Sequence, residues 1–155
     1  MSKEGSQNQQ IVVFKLGTEE YGLEIDKIKE VVLTPQISRV PLAEKYIVGV
    51  ANVRGNILAI IDLEIRFGLK TSQDSLGFYT LVIDDDKAKA GVLVREVPNT
   101  LSVPESAIEP ASATLQEFGT EQRFIKSIVK IGNRLIFLID IFSVISKDLI
   151  SQTIS

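Results

Sequence analysis

The sequence predicts an all-β protein made of two matched small barrels of about five short strands each, closed by a short C-terminal helix. Three observations carry this. Apolar residues recur with a period of two over short runs, as in Val12, Phe14 and Leu16 or Tyr21, Leu23 and Ile25, while a sustained helical period is confined to the end of the chain. The runs also come in two sets that resemble each other, which suggests an internal duplication. Finally, 155 residues, 45% of them hydrophobic and 24% charged, make one compact unit or two very small ones sharing a core.

In chain order, residues 1–10 are polar and read as a disordered leader. Residues 12–16 and 21–25, joined by the turn Gly17-Thr18-Glu19-Glu20, read as a hairpin with one buried face. Asp26 is placed to cap a helical turn before the chain runs on as a strand to Leu33. Pro35 and Pro41 bracket a bent extended segment. Residues 47–54 and 57–61 then form a second hairpin, with Gly55-Asn56 as a Gly-first two-residue turn of type II′. Asp62 follows as the N-cap of one or two helical turns. Residues 70–77 are the best linker candidate.

The second set begins at Phe78 to Ile83, turns at Asp84-Asp85-Asp86-Lys87 and exits through Gly91 to Val97, repeating the first hairpin. Residues 125–131, the turn Gly132-Asn133 and residues 134–139, ending in Asp140, repeat the second hairpin, with one residue more between turn and Asp. Residues 104–123 have no sustained period and read as a long loop with a short helical turn. Ile141, Val144, Ile145 and Leu149 give an amphipathic helix over 141–150. The domain reading is therefore two β units, about 11–70 and 78–140, intertwined or in tandem, plus that helix. Each is too small to stand alone, so a third apolar contact between them is expected.

Composition excludes much chemistry. The chain has no His, no Cys and no Trp, which removes imidazole bases, thiol nucleophiles, Cys/His metal sites and disulfides. No cofactor and no metal is expected. A net charge of −3, without a clustered positive face, argues against nucleic acid. The polar N-terminus lacks the apolar stretch of a signal peptide, so a cytoplasmic protein is expected. No apolar run approaches the ~18 residues needed to cross a bilayer, so no direct membrane insertion is expected.

Asp62 and Asp140 occupy equivalent places, and capping suits them better than the paired carboxylates of a hydrolase. Asp84-Asp85-Asp86 lacks the spacing of a calcium loop and reads as a solvated turn. Arg54, beside a tight turn, can pair with a local carboxylate or wait for one on a partner. Ile28, Val31 and Val32 beside Glu30 read as core on general grounds.

The runs Val13-Phe14-Lys15-Leu16-Gly17 through Tyr21-Gly22-Leu23-Glu24-Ile25, then Ile28 to Val31, Gly49 to Asn56 with its Asn52-Val53-Arg54-Gly55 element, Ile60 to Gly68, Gly91 to Val94 and Gly132 to Asp140 resemble the chemotaxis coupling proteins of the CheW family, over roughly residues 12–146. One position departs: where the family often has Asp after the Gly-apolar-apolar-Val run, this chain has Arg95. The resemblance implies two tandem five-stranded SH3-like barrels with a shared inter-barrel core and no catalysis. It implies an adaptor that joins the regulatory domain of a histidine kinase to the cytoplasmic tip of chemoreceptors, recruited to membrane-bound receptor arrays and assembling with kinase domains into rings. By the same resemblance Ile28, Glu30, Val31 and Arg54 lie at or support the receptor groove, with Val97 facing it from the second barrel. The rival readings are a scaffold of a pilus or gliding pathway and, from another class, a small-barrel nucleic-acid binder.

Overall fold

The computed structural model describes residues 7–69, 79–84, 89–111 and 124–145. The linker at 70–77, the turn around Lys87, most of the 104–123 loop and the helix beyond Ile145 lie outside them. Among the described residues, eleven strands form two sheets. The strands are β1 (Asn8–Leu16), β2 (Glu19–Glu24), β3 (Glu30–Leu33), β4 (Ile47–Val53), β5 (Asn56–Ile61), β6 (Tyr79–Asp84), β7 (Lys89–Val94), β8 (Asn99–Pro104), β9 (Ile108–Pro110), β10 (Ile125–Ile131) and β11 (Arg134–Ile139). Two short helices, α1 (Leu63–Arg66) and α2 (Ile141–Val144), follow β5 and β11.

The sheets are intertwined rather than divided at the middle of the chain. One runs β8-β1-β2-β11-β10-β9 and the other β3-β6-β7-β5-β4. Each half of the chain lends its first hairpin to the other half's second hairpin: β2 lies parallel to β11, and β7 lies parallel to β5. Two links carry the exchange. Residues 25–29 cross from β2 to β3 and residues 95–98 cross from β7 to β8.

The exchange explains the sequence of the first hairpin, where Ile11, Val12, Val13 and Phe14 are all buried rather than alternately so. Ile11 and Val13 pack with Val103, Val129, Ile136 and Leu138 inside the six-stranded sheet. Phe14 and Leu16, on the opposite face, join Leu23, Ile61, Leu81, Val92, Phe124 and Ile139 in a cluster drawn from both sheets. A third cluster, with Val53, Leu58, Ile60, Val82 and Leu93, fills the five-stranded sheet. The expected shared core is thus the largest of three. Strands covered on both faces read as continuous apolar runs.

Glycine permits the parallel crossing of β5 and β7. A Cβ on Gly91 would lie 2.6 Å from Thr80 Cγ2 and 2.8 Å from Ile60 Cδ1, closer than packed carbons approach.

Several elements differ from expectation. Asn8 to Gln10 are not leader but strand, because β8 supplies their ladder partners Pro104, Val103 and Ser102. The turn at Ile25–Lys27 is a 3-10 turn whose N-cap is Glu24, and no side chain caps it, so Asp26 does not take that role. β8 and β9 fall where a loop was expected to begin or where no element was read. In β8 only Val103 is buried, so that edge strand carries little apolar signal.

The β4–β5 turn is Arg54-Gly55, not Gly55-Asn56: Val53 pairs with Asn56, and both turn residues have positive φ, 53° and 88°. That is the backbone of a type I′ turn. With this register both second strands have six residues, and the extra residue inferred for the later copy disappears.

Candidate functional site

The β4–β5 tip is built by its own side chains. Asn52 Oδ1 accepts from Gly55 N at 2.9 Å and closes the turn. Arg54 is held at φ 53°, a left-handed backbone that L residues rarely adopt. From there Arg54 Nε donates to both carboxylate oxygens of Glu30 at 3.0 Å. Glu30 opens β3 and pairs with Val82 of β6. The ion pair therefore fastens the hairpin tip to the sheet's edge strand, while the Arg54 side chain stays 70% exposed and that of Glu30 only 22%. Of the two roles open to Arg54, the local carboxylate is present, and most of the side chain is still in solvent.

On the face of β3 opposite Glu30, Val31 and Leu33 are 42% and 72% exposed, and Ile57 on β5 is exposed as well. Pro35, Ser38, Val50, Asn52 and Ile57 border an open groove of about 420 Å³ next to the tip. Ser38 and Val50 exchange backbone hydrogen bonds of 2.8 Å across its floor. Ile28 is half-buried against the shared core. Val97, on the 95–98 link, is 61% exposed. Of the five residues singled out from sequence, the structure joins Arg54 and Glu30 directly and places Val31 next to Glu30 on one strand. Leu33 and Ile57 were missed; Leu33 could have been found from its two-residue spacing to Val31.

A second polar cluster lies at the junction of the sheets. Glu64 on α1, whose side chain is 7% exposed, accepts from Arg95 Nη2 at 2.7 Å and from Gly17 N, in the β1–β2 turn, at 3.0 Å. Burial pushes its carboxyl up, but the Arg95 and Gly17 hydrogen bonds outweigh that and hold it below the ordinary value. Asp62 is pushed the other way by burial, although its Oδ1 accepts from Glu64 N and Ile65 N as an N-cap should. Arg95, the departure noted in the sequence, is thus engaged internally. Asp140 does not cap α2 with its side chain, because its Oδ2 accepts from Ser143 Oγ at 2.9 Å instead. Lys29 pairs with Asp84 at 3.3 Å. Among the described residues no three His, Cys, Asp or Glu side chains group to hold a metal ion, and no helix is long and apolar enough to cross a membrane.

The family model of the CheW-like domain matches residues 10–149. The chain belongs to the CheW-like family. Its CheW relatives include the chemotaxis protein CheW of Klebsiella aerogenes, 30% identical over 90% of this chain and 83% of that one. The chemotaxis protein CheW of Bacillus subtilis is 30% identical over 96% of this chain and 94% of that one. Among solved structures, the scaffolding protein TtCheW from Thermoanaerobacter tengcongensis superposes with a TM-score of 0.76 and 31% identity, over 86% of this chain and 90% of that one. As a CheW-like protein the chain is a non-enzymatic scaffold of chemotaxis signalling.

Proposed function

We propose that this scaffold docks the cytoplasmic tip of a chemoreceptor along a surface made by Ile28, Glu30, Val31 and Arg54 on one side and Val97 on the other. The regulatory domain of a histidine kinase binds elsewhere on the same molecule. The single observation that carries this is Arg54: a non-glycine residue held in a strained backbone at a hairpin tip, its side chain bound by Glu30 of β3 yet mostly exposed. Strain of this kind is kept where a side chain must be presented in a set direction. A helical partner adds an apolar stripe and a carboxylate, which Val31 and the guanidinium suit. The protein acts in the cytoplasm at receptor arrays and enters rings with kinase domains.

The test is a titration of a receptor cytoplasmic fragment against folded variants. Ile28→Asp and Val97→Asp place a charge in a contact that excludes water, at a cost of a few kcal/mol, and Arg54→Ala removes the charged contact. All three should weaken receptor binding, whereas Lys89→Asp on the β6–β7 hairpin should change little. Retained affinity in the first three would overturn the reading.

A further inference from the structure

We propose that Arg95 is a positioning residue for receptor docking: pinned to Glu64, it fixes the link that presents Val97. This rests on the receptor reading above and adds the device that orients one side of that surface. Val97 sits on residues 95–98, the crossing from β7 in one sheet to β8 in the other, and is largely exposed. A contact residue on such a link needs an anchor outside it. Arg95, two residues away, supplies one through its 2.7 Å bond to Glu64 Oε1.

Glu64 is itself immobilised. Its other oxygen accepts from Gly17 N of the β1–β2 turn, and its backbone N–H is bound by Asp62 Oδ1 at 2.9 Å. One carboxylate thereby ties α1, the turn of a hairpin in the six-stranded sheet and the Val97 link. Lys15, Leu16, Asp62, Leu93 and Val94 line a partly open space of about 10 Å³ around the pair, and the Arg95 side chain is 28% exposed. A charge-assisted hydrogen bond of this length is directional. Losing it would release the link while leaving the three apolar clusters in place.

Full-length parent, R95Q, R95K, V97A, V97D and the R95Q/V97A double variant are titrated with a receptor cytoplasmic helical-hairpin fragment and, separately, with the regulatory domain of the cognate histidine kinase. R95Q should lose about tenfold in receptor affinity, ~1.4 kcal/mol, with kinase-domain affinity unchanged. R95K should lose less, and R95Q should add little once V97A is present, since both act on one contact. Should R95Q fail to fold, R95K is read alone: a loss confined to the receptor supports the proposal. Equal losses for both partners mean a merely structural pair and overturn it, as do strictly additive effects or an R95Q that binds receptor like the parent. If V97D, I28D and R54A all retain receptor affinity, the docking surface itself is wrong; if V97D loses binding and R95Q does not, only the positioning role falls.

Discussion

The two halves of the chain build the same hairpin and finish it differently. At the β10–β11 tip the left-handed position is Gly132, with φ 58°, and Arg134 grips Glu20 of β2 through two nitrogens at 2.6 and 3.1 Å. At the β4–β5 tip the matching position is Arg54, with a similar φ, bound to Glu30 through Nε alone. Glycine takes that backbone freely, whereas a residue with a Cβ is disfavoured by ~1–2 kcal/mol. One tip is therefore relaxed with a closed ion pair, and the other is strained with an open one. The crossing links diverge in the same manner: Arg95 meets a buried carboxylate, while Lys27 lies 5.6 Å over the ring of Phe142, the residue of α2 matching Glu64. The two halves build matched hairpins, and they differ in how each tip and link is held.

The largest difference between the copies is expected where the exchanged hairpins cross. Gly91→Ala should cost about 2–3 kcal/mol by overpacking. Gly22→Ala, its counterpart, should cost less, because the nearest atoms to its Cβ stand at 3.2 Å. Urea denaturation of both variants decides this, and equal costs would mean that the two crossings are equally tight.

The links come next. Glu64→Gln should cost about 1–2 kcal/mol at neutral pH, as a charged hydrogen bond weakens, against ~0.5 kcal/mol for Lys27→Ala over its ring. The Glu64 effect carries a pH signature. Its folded carboxyl titrates below 4.5, so its stabilisation is complete above that value and is lost as pH falls through the lower folded one. Asp62, raised by burial above 3.8, has the opposite sign: its protonation on acidification favours the folded state. The stability gap between parent and Glu64→Gln should therefore stay flat from neutral pH to about 5 and close below 4.5. A gap that widens in acid would show that the pair is not what holds the link.

The smallest effects come from exchanging the tips. Arg54→Gly should hold or raise the thermal midpoint by roughly 2–4 °C, the scale of ~1 kcal/mol in a chain of this size, while losing receptor binding. Gly132→Ala has open space around its Cβ yet a backbone unsuited to Ala, and should lower the midpoint by a similar amount with binding intact. If Arg54→Gly destabilises more than Arg54→Ala, the strain argument fails.

Much of the fold was legible because its signals are local. Both copies of each hairpin, the Asp62 cap and the need for a shared core follow from period-two runs, turn residues and chain length. The Arg54 turn was misplaced by one residue because local chemistry favours Gly-Asn, while the packing of Ile57 outward and Leu58 inward sets the register that puts Arg54 in the turn. β8 escaped notice because an edge strand with one buried residue leaves almost no pattern. Of the site, the Asn52-Val53-Arg54-Gly55 element stood out in the sequence, but its partner Glu30 is 24 residues away and the ion pair exists only once β3 and the hairpin tip meet.

The sequence by itself determined the class of protein: β strands in two matched sets, no thiol or imidazole chemistry, and a length that suits one compact unit or two very small ones sharing a core. Those are properties of neighbouring residues and of composition, and they survive without knowing which strand lies beside which. The tertiary structure alone decided that the halves trade hairpins and that Arg95 turns inward to Glu64, 31 residues before it. The continuous apolar run of Ile11 to Phe14 marks a strand buried on both faces but reads alike whichever sheet receives it.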